Sequence, residues 1–275
     1  MTMQPIQYPL LVDNTLTRVI EAGSGPAVVF VHGLGARCDR WSGTVSRIGA
    51  AGYRAVTFDL PGHGLAAKGD LHAPGDVPGL ARYLVALLDT LGIEQAVLVG
   101  TSLGGHIGAY AATLIPERVP GLMLVGALGI APLSMEAARG IQRSVKATSR
   151  EEIQGKLKFV IADDALVTDA LIDEEWRINN SPGANASFVR MGNYVVDGLE
   201  HDYVAKQLAA LYPADNIRLV WGAEDRAVPV SVGEQCRDLL GGAELLLIES
   251  AGHAPYFEKP AAFDPPLLAF LATLY

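Results

Sequence analysis

A mostly parallel β-sheet covered by helices on both faces is the α/β architecture this sequence predicts, on three observations. Short, mostly apolar runs of strand character recur at Ala27–Val31, Arg54–Phe58, Ala96–Val99, Leu122–Val125, Arg218–Trp221 and Glu244–Ile248. Helical patterns lie between them, clearest over Leu80–Leu91 and Gly104–Leu114. The residues that invite chemistry all fall just after one of the apolar runs. Strands buried on both faces read as continuous apolar segments, and their alternation with helices marks a parallel sheet. Sites in such folds gather at the carboxyl ends of the strands.

The elements follow in chain order. Thr15–Glu21 alternates as an early strand does, and Gly23-Ser24-Gly25-Pro26 supplies the turn after it. The strand–helix rhythm then runs to about residue 130. From Ala131 to Tyr212 it breaks, with helical, charged pieces such as Ser149–Lys158 and Asp169–Arg177 and no convincing buried strand. The run at Arg218 must rejoin the sheet, so 131–212 is expected to be a helical lid over the strand ends, with 1–130 and 213–275 as the core. A separate helical domain is the alternative. No internal repeat or low-complexity segment interrupts the chain.

Composition narrows the function. A chain of 275 residues with 50% hydrophobic content buries a sizeable core. A net charge of −9 without any Lys/Arg run argues against nucleic acid or an anionic membrane as partner. Two cysteines, Cys38 and Cys236, make no disulfide framework and read as reduced thiols of a cytoplasmic protein. The first residues lack the basic start and apolar stretch of a secretory signal. The longest uncharged run, Val119–Met135, contains Pro120 and Pro132 and fits a buried strand leaving into a loop better than a membrane span. Oligomeric state is not legible, and a homo-oligomer stays open.

The most informative segment is Gly100-Thr101-Ser102-Leu103-Gly104, set between an apolar strand and a small-residue helix. This G-x-S-x-G elbow thrusts a serine hydroxyl above the end of the sheet. The alternative is a glycine-rich turn carrying an incidental serine. A serine nucleophile needs a base, and the base needs an orienting acid. Of six histidines, His253 lies in a loop after the last strand, shaped by Gly252 and Pro255, that opens at the same edge as Ser102. For the acid, Asp225 follows the Arg218–Trp221 run directly; its neighbour Glu224 competes, and spacing does not separate them.

The developing oxyanion needs two donors, each typically worth about 3 kcal/mol. The N–H of Leu103 follows the nucleophile, and the N–H of Leu34 lies in His32-Gly33-Leu34-Gly35, after the Ala27–Val31 strand. His32 and His63 are expected to shape their loops, His106 to be packed, and His72 and His201 to lie at the surface. A metal-ligand role for His32 lacks a second donor at suitable spacing. No nucleotide-binding glycine motif occurs, so neither a metal nor a cofactor is expected.

Together H-G-L-G, D-L-P-G-H-G, G-T-S-L-G-G, W-G-A-E-D-R-A-V-P and A-G-H-A-P-Y-F-E-K-P resemble the α/β-hydrolase superfamily in order and approximate spacing, over nearly the whole chain. That resemblance implies an eight-stranded sheet, a lid after the sixth strand, and Asp225 rather than Glu224 as the acid. Leu166–Phe188 is further similar to the lid of the meta-cleavage-product hydrolases, which cut a carbon–carbon bond beside a ketone. That family carries a carboxylate-binding arginine where Glu175 stands here, and an aromatic residue where Ala254 stands. Arg177, two residues on, is turned roughly 200° around a helix.

The leading expectation is a cofactor-free serine hydrolase of carboxylic esters or lactones, acting on a small-molecule substrate. Carbon–carbon bond hydrolysis with the same residues is the second reading. A ligand receptor with slow turnover is the third. Trp41, Phe159, Trp176 and Met191 are candidates to line an apolar acyl pocket, with packing between helices and core as the alternative.

Overall fold

The computed structural model describes residues 3–69 and 72–275. Among these, one sheet is formed by β1 (Ile6–Val12), β2 (Thr15–Ala22), β3 (Ala27–Val31), β4 (Arg54–Phe58), β5 (Ala96–Thr101), β6 (Leu122–Val125), β7 (Ile217–Gly222) and β8 (Glu244–Ile248). Their spatial order is β1-β2-β4-β3-β5-β6-β7-β8. β2 pairs antiparallel with β1 and β4, and the remaining pairings are parallel. Strands β3, β5 and β6 are buried at every residue, which is why they are continuously apolar.

Strand β1 is absent from the sequence reading. It is an edge strand, mostly exposed, with Pro9 in its middle, so neither alternation nor apolar continuity marks it. Its turn to β2 is Asp13-Asn14, both at positive φ, 45° and 61°. Two left-handed residues are what a two-residue hairpin turn requires, and Asn and Asp tolerate them best.

Helices cover both faces. Helix α1 (Ser42–Ala50) and the C-terminal Pro260–Leu274 helix pack with Trp41 and Phe30 on one side. Helices α2 (Val77–Thr90) and α3 (Leu103–Leu114) lie on the other. Helix α2 starts where Asp76 accepts the Gly79 N–H at 2.7 Å, with Pro78 in its first turn, a start that frees no backbone donor needlessly.

Between β6 and β7 come α4 (Met135–Val145), α5 (Arg150–Val160), α6 (Asp169–Asn179), α7 (Ala184–Asp197) and α8 (Ala205–Leu211). Their starts are written in the sequence: Ser134 and Thr168 cap α4 and α6, and Ser149 with Glu152 forms a reciprocal capping box on α5. Helix α4 packs on α7, and α5 on α6. Phe188, Met191 and Val195 of α7 join the core beneath the sheet's α2/α3 face, and β7 returns to pair with β6. The chain ends with α9 (Val230–Leu239), α10 (Pro255–Glu258) and α11 (Pro260–Leu274). Cys38 and Cys236 are both buried and unpaired. No helix among the described residues is long and apolar enough to cross a membrane.

Candidate active site

Ser102 stands at the junction of β5 and α3 with φ 55° and ψ −123°, a conformation that non-glycine residues rarely hold without support. Its N–H donates to the Val125 carbonyl at 2.9 Å, and its carbonyl accepts from Leu128 at 3.1 Å and His106 at 3.2 Å. A Cβ at Gly100 would overlap the Gly104 carbonyl, and one at Gly104 would overlap the Val31 carbonyl. Strand, serine and helix therefore close up only because both flanking positions lack side chains.

His253 and Asp225 arrive from the far side of the sheet. His253 Nδ1 lies 2.7 Å from Asp225 Oδ2, while Asp225 Oδ1 accepts the N–H groups of Ala227 and Val228, both at 2.9 Å. Three bonds on one carboxylate fix its plane. Glu224 is exposed, so of the two neighbouring carboxylates Asp225 meets the imidazole. Burial opposes the imidazolium, but the adjacent Asp225 carboxylate outweighs it and raises the His253 pKa.

The His253 loop is fastened to both parts of the molecule. Its N–H donates to the Val160 carbonyl at the end of α5, 2.8 Å away. Glu258 Oε1 accepts from Gly252 at 2.9 Å and Oε2 from Ala162 at 2.7 Å. Glu258 and Gly126 shape this corner of the site and are absent from the sequence reading. Gly126 has φ 50°, and a Cβ there would lie 3.0 Å from both Asp225 Oδ2 and His253 Nδ1. Glu258 was visible as the glutamate five residues after the histidine, but Gly126 had no distinguishing signal among 30 glycines.

Ser102 and His253 line one cavity of about 560 Å³, the open space at its mouth included. Among the described residues no hydrogen bond joins their side chains; such bonds are often long before substrate binds. Leu34 and Leu103 are the two expected backbone donors. Leu34 lines the cavity, and Leu103 opens α3, where its N–H has no partner within the helix. Gly33 is tight against the serine: a Cβ on it would sit 3.0 Å from Ser102 Cβ.

Of the remaining histidines, His32, His63, His106 and His201 lie as expected, while His72 is half-buried rather than at the surface. His32 Nε2 accepts the Leu60 N–H at 2.9 Å and its Nδ1 donates to the Gly33 carbonyl at 2.8 Å, so the buried ring is neutral and structural. His63 is buried beside it, its pKa pushed down to about 3 by burial. His106 Nε2 bonds the Asp202 carbonyl at 2.7 Å. His201 is exposed and His72 half-buried.

The four expected pocket residues need correction, because none of them lines this cavity. Trp41 is fully buried on the opposite side of its loop, stacked 3.5 Å from the Tyr256 ring. Met191 is core beneath α7. Trp176 lies under the Arg150 guanidinium, and Phe159 borders an outer surface groove. The observed walls are mainly apolar, with Leu34, Leu157, Val160, Ile161, Tyr256 and Phe257, and one end carries Arg40, Lys156 and Glu175.

At that end Glu175 is saturated with cations. Oε1 accepts from Lys156 Nζ at 2.7 Å, and Oε2 from Arg37 at 2.9 Å and Arg40 at 3.1 Å. Burial alone would raise its pKa, but the three cations bring it down to about 2.

Residues 26–260 match the family described as alpha/beta hydrolase fold. The chain belongs to that family. Its sheet order, helices on both faces and elbow are those of an α/β-hydrolase. A 2-hydroxy-6-oxo-6-phenylhexa-2,4-dienoate hydrolase of Burkholderia cepacia is 31% identical over 271 residues, covering 94% of this chain and 92% of that protein. The dihydrolipoyllysine-residue acetyltransferase component of the acetoin cleaving system of Pseudomonas putida is 31% identical over 264 residues, 94% of this chain and 68% of its own length. Among solved structures, a meta-cleavage product hydrolase from Pseudomonas fluorescens IP01 superposes with TM-score 0.86 at 23% identity, over 98% of both chains. That last likeness is one of fold.

Proposed function

We propose that this α/β-hydrolase is a serine hydrolase that cleaves a small carboxylic ester or lactone through an acyl-enzyme on Ser102. The observation that carries the reading is the Asp225–His253 pair, 2.7 Å apart, opening onto the same cavity as the strained Ser102. In the proposed reaction His253 Nε2 takes the Ser102 proton as Oγ attacks the carbonyl. Asp225 holds Nδ1–H and stabilises the imidazolium. The N–H groups of Leu34 and Leu103 receive the oxyanion. His253 returns the proton to the leaving alcohol, then activates water to release the acid. The helices of 131–212 act as the lid, contributing Lys156, Leu157, Val160, Ile161 and Glu175 to the cavity wall.

Hydrolysis of a carbon–carbon bond beside a ketone is the second reading. The full-length resemblance to a dienoate hydrolase favours it. Glu175 does not weigh against it: its charge is matched by Lys156, Arg37 and Arg40, so no free anion faces an acidic substrate. Ala254 does weigh against it, since the aromatic neighbour of the histidine is missing.

A panel of short and long acyl esters, lactones and one dienoate, tested on the wild type and on Ser102→Ala, separates the readings. Esters or lactones turned over faster than the dienoate, with turnover lost in Ser102→Ala, is the expected result. Faster dienoate turnover installs the second reading. Full ester turnover by Ser102→Ala contradicts both.

A further inference from the structure

Lys156 is a buried ionisable group on the cavity wall that takes no part in the proposed reaction. Lys156 sits on α5, in the helical insertion, yet its ammonium reaches the loop after β3 and donates to the Gly35 carbonyl at 2.6 Å. Residues 33–36 there form a tight turn closed by Ala36 N–H to the Gly33 carbonyl at 3.1 Å. Gly35 takes the left-handed position with φ 70°, the geometry a turn needs when its third residue has positive φ. In such a turn the N–H of the second residue, Leu34, is free to point outward. Pinning the Gly35 carbonyl therefore fixes the tilt of the whole turn, and with it the aim of the Leu34 N–H.

We propose that Lys156 is a positioning residue for the oxyanion donor Leu34, holding the Gly35 carbonyl from the insertion while Glu175 holds Lys156. The inference rests on the serine-hydrolase reading and on Leu34 as one of its donors.

Glu175 makes the arrangement stable. A buried ammonium needs a partner, and the Glu175 carboxylate supplies one at 2.7 Å. Its other oxygen binds Arg37, directly after the turn, and Arg40, three residues further on. The insertion thus grips the turn on both sides, at Gly35 through Lys156 and at Arg37 through Glu175. The fit is close: a Cβ on Gly35 would sit 3.1 Å from Lys156 Nζ. One donor of the site consequently depends on the docked insertion, although the nucleophile and both other triad members belong to the sheet core.

The test compares wild type, K156M and K156R in p-nitrophenyl acetate hydrolysis and in inhibition by phenylboronic acid, whose serine adduct places an oxygen in the oxyanion site. K156M leaves Glu175 paired with both arginines, so it is the mildest removal. The expected result is a fall in kcat of about 10²-fold from loss of positioning, with KM held within about twofold. Boronate affinity falls in parallel, and K156R, which keeps a cationic donor, recovers most of both. Should K156M not fold, K156L, which likewise has no donor for the Gly35 carbonyl, carries the same comparison with the same expectation.

A folded K156M or K156L with wild-type kcat and boronate affinity overturns the inference alone. A loss confined to esters bearing an anionic group also overturns it, because Lys156 would then contact substrate. A wild type that neither hydrolyses esters nor binds the boronate overturns the serine-hydrolase reading, and the inference with it.

Discussion

His253 sits between two opposed effects, and their balance sets a measurable pH dependence. Burial disfavours its charge, while the Asp225 carboxylate 2.7 Å away favours it and prevails, so the pKa is raised above 6.5. The base in the proposed reaction is the neutral ring. The kcat/KM of ester hydrolysis should therefore rise with pH along a limb centred above 6.5, and a limb centred at or below that value contradicts the assignment. The same shift links to stability. The pair's contribution is fully present below the unfolded value of 6.5 and is lost as pH rises through the folded one. Gly126 offers a second test at this scale. Gly126→Ala would force a side chain into positive φ and within 3.0 Å of both Asp225 Oδ2 and His253 Nδ1. Displacing that pair should lower kcat by about 10²-fold, measurable by steady-state assay beside a melting curve that confirms folding.

Among the elements, the helical insertion and the loop after β3 are joined by the buried cluster of Lys156, Arg37, Arg40 and Glu175. Glu175 is depressed from 4.5 to about 2. The sign follows: its stabilisation is present above about pH 4.5 and disappears as pH falls through 2. A shift of that size corresponds to about 3 kcal/mol. Urea unfolding of wild type and Glu175→Gln between pH 2 and 7 should show the variant less stable at neutral pH, with the gap closing toward pH 2. Equal stability at all pH values would mean that the cluster contributes nothing to the fold. The helices of this segment were legible because their caps are local: Ser134, Ser149 with Glu152, and Thr168 each announce a start. The cluster was not, because it joins residues up to 138 apart in sequence, and Glu175 alone reads as an anion facing the cavity.

For the molecule as a whole, what the sequence revealed follows from how each feature is encoded. Strands β3 to β7 were legible because burial on both faces demands continuous apolar runs, β2 because it alternates, and edge strand β8 because Leu245–Ile248 is an apolar run. Edge strand β1 was not, since an exposed strand is under no such demand. The Ser102, Asp225 and His253 positions were legible because each needs a particular turn chemistry directly after a strand. The cavity wall was not. Trp41 is near the oxyanion turn in sequence, and Phe159, Trp176 and Met191 lie on the helical insertion, but neither placement says which side of a loop or helix faces Ser102. Trp41 lies just beyond the oxyanion turn yet points into the core against Tyr256. The walls come instead from one face of α5 and from residues 254–257, a choice set by how the insertion docks.

The central claim is that Ser102 is activated by His253 and Asp225 across that cavity. Fluorophosphonate labelling followed by intact-mass measurement and peptide mapping tests it most directly. A single adduct on Ser102, absent in Ser102→Ala and formed far more slowly in His253→Ala, is the predicted result. No adduct on a folded wild type, or one that forms on Ser102 at the same rate without His253, would contradict it.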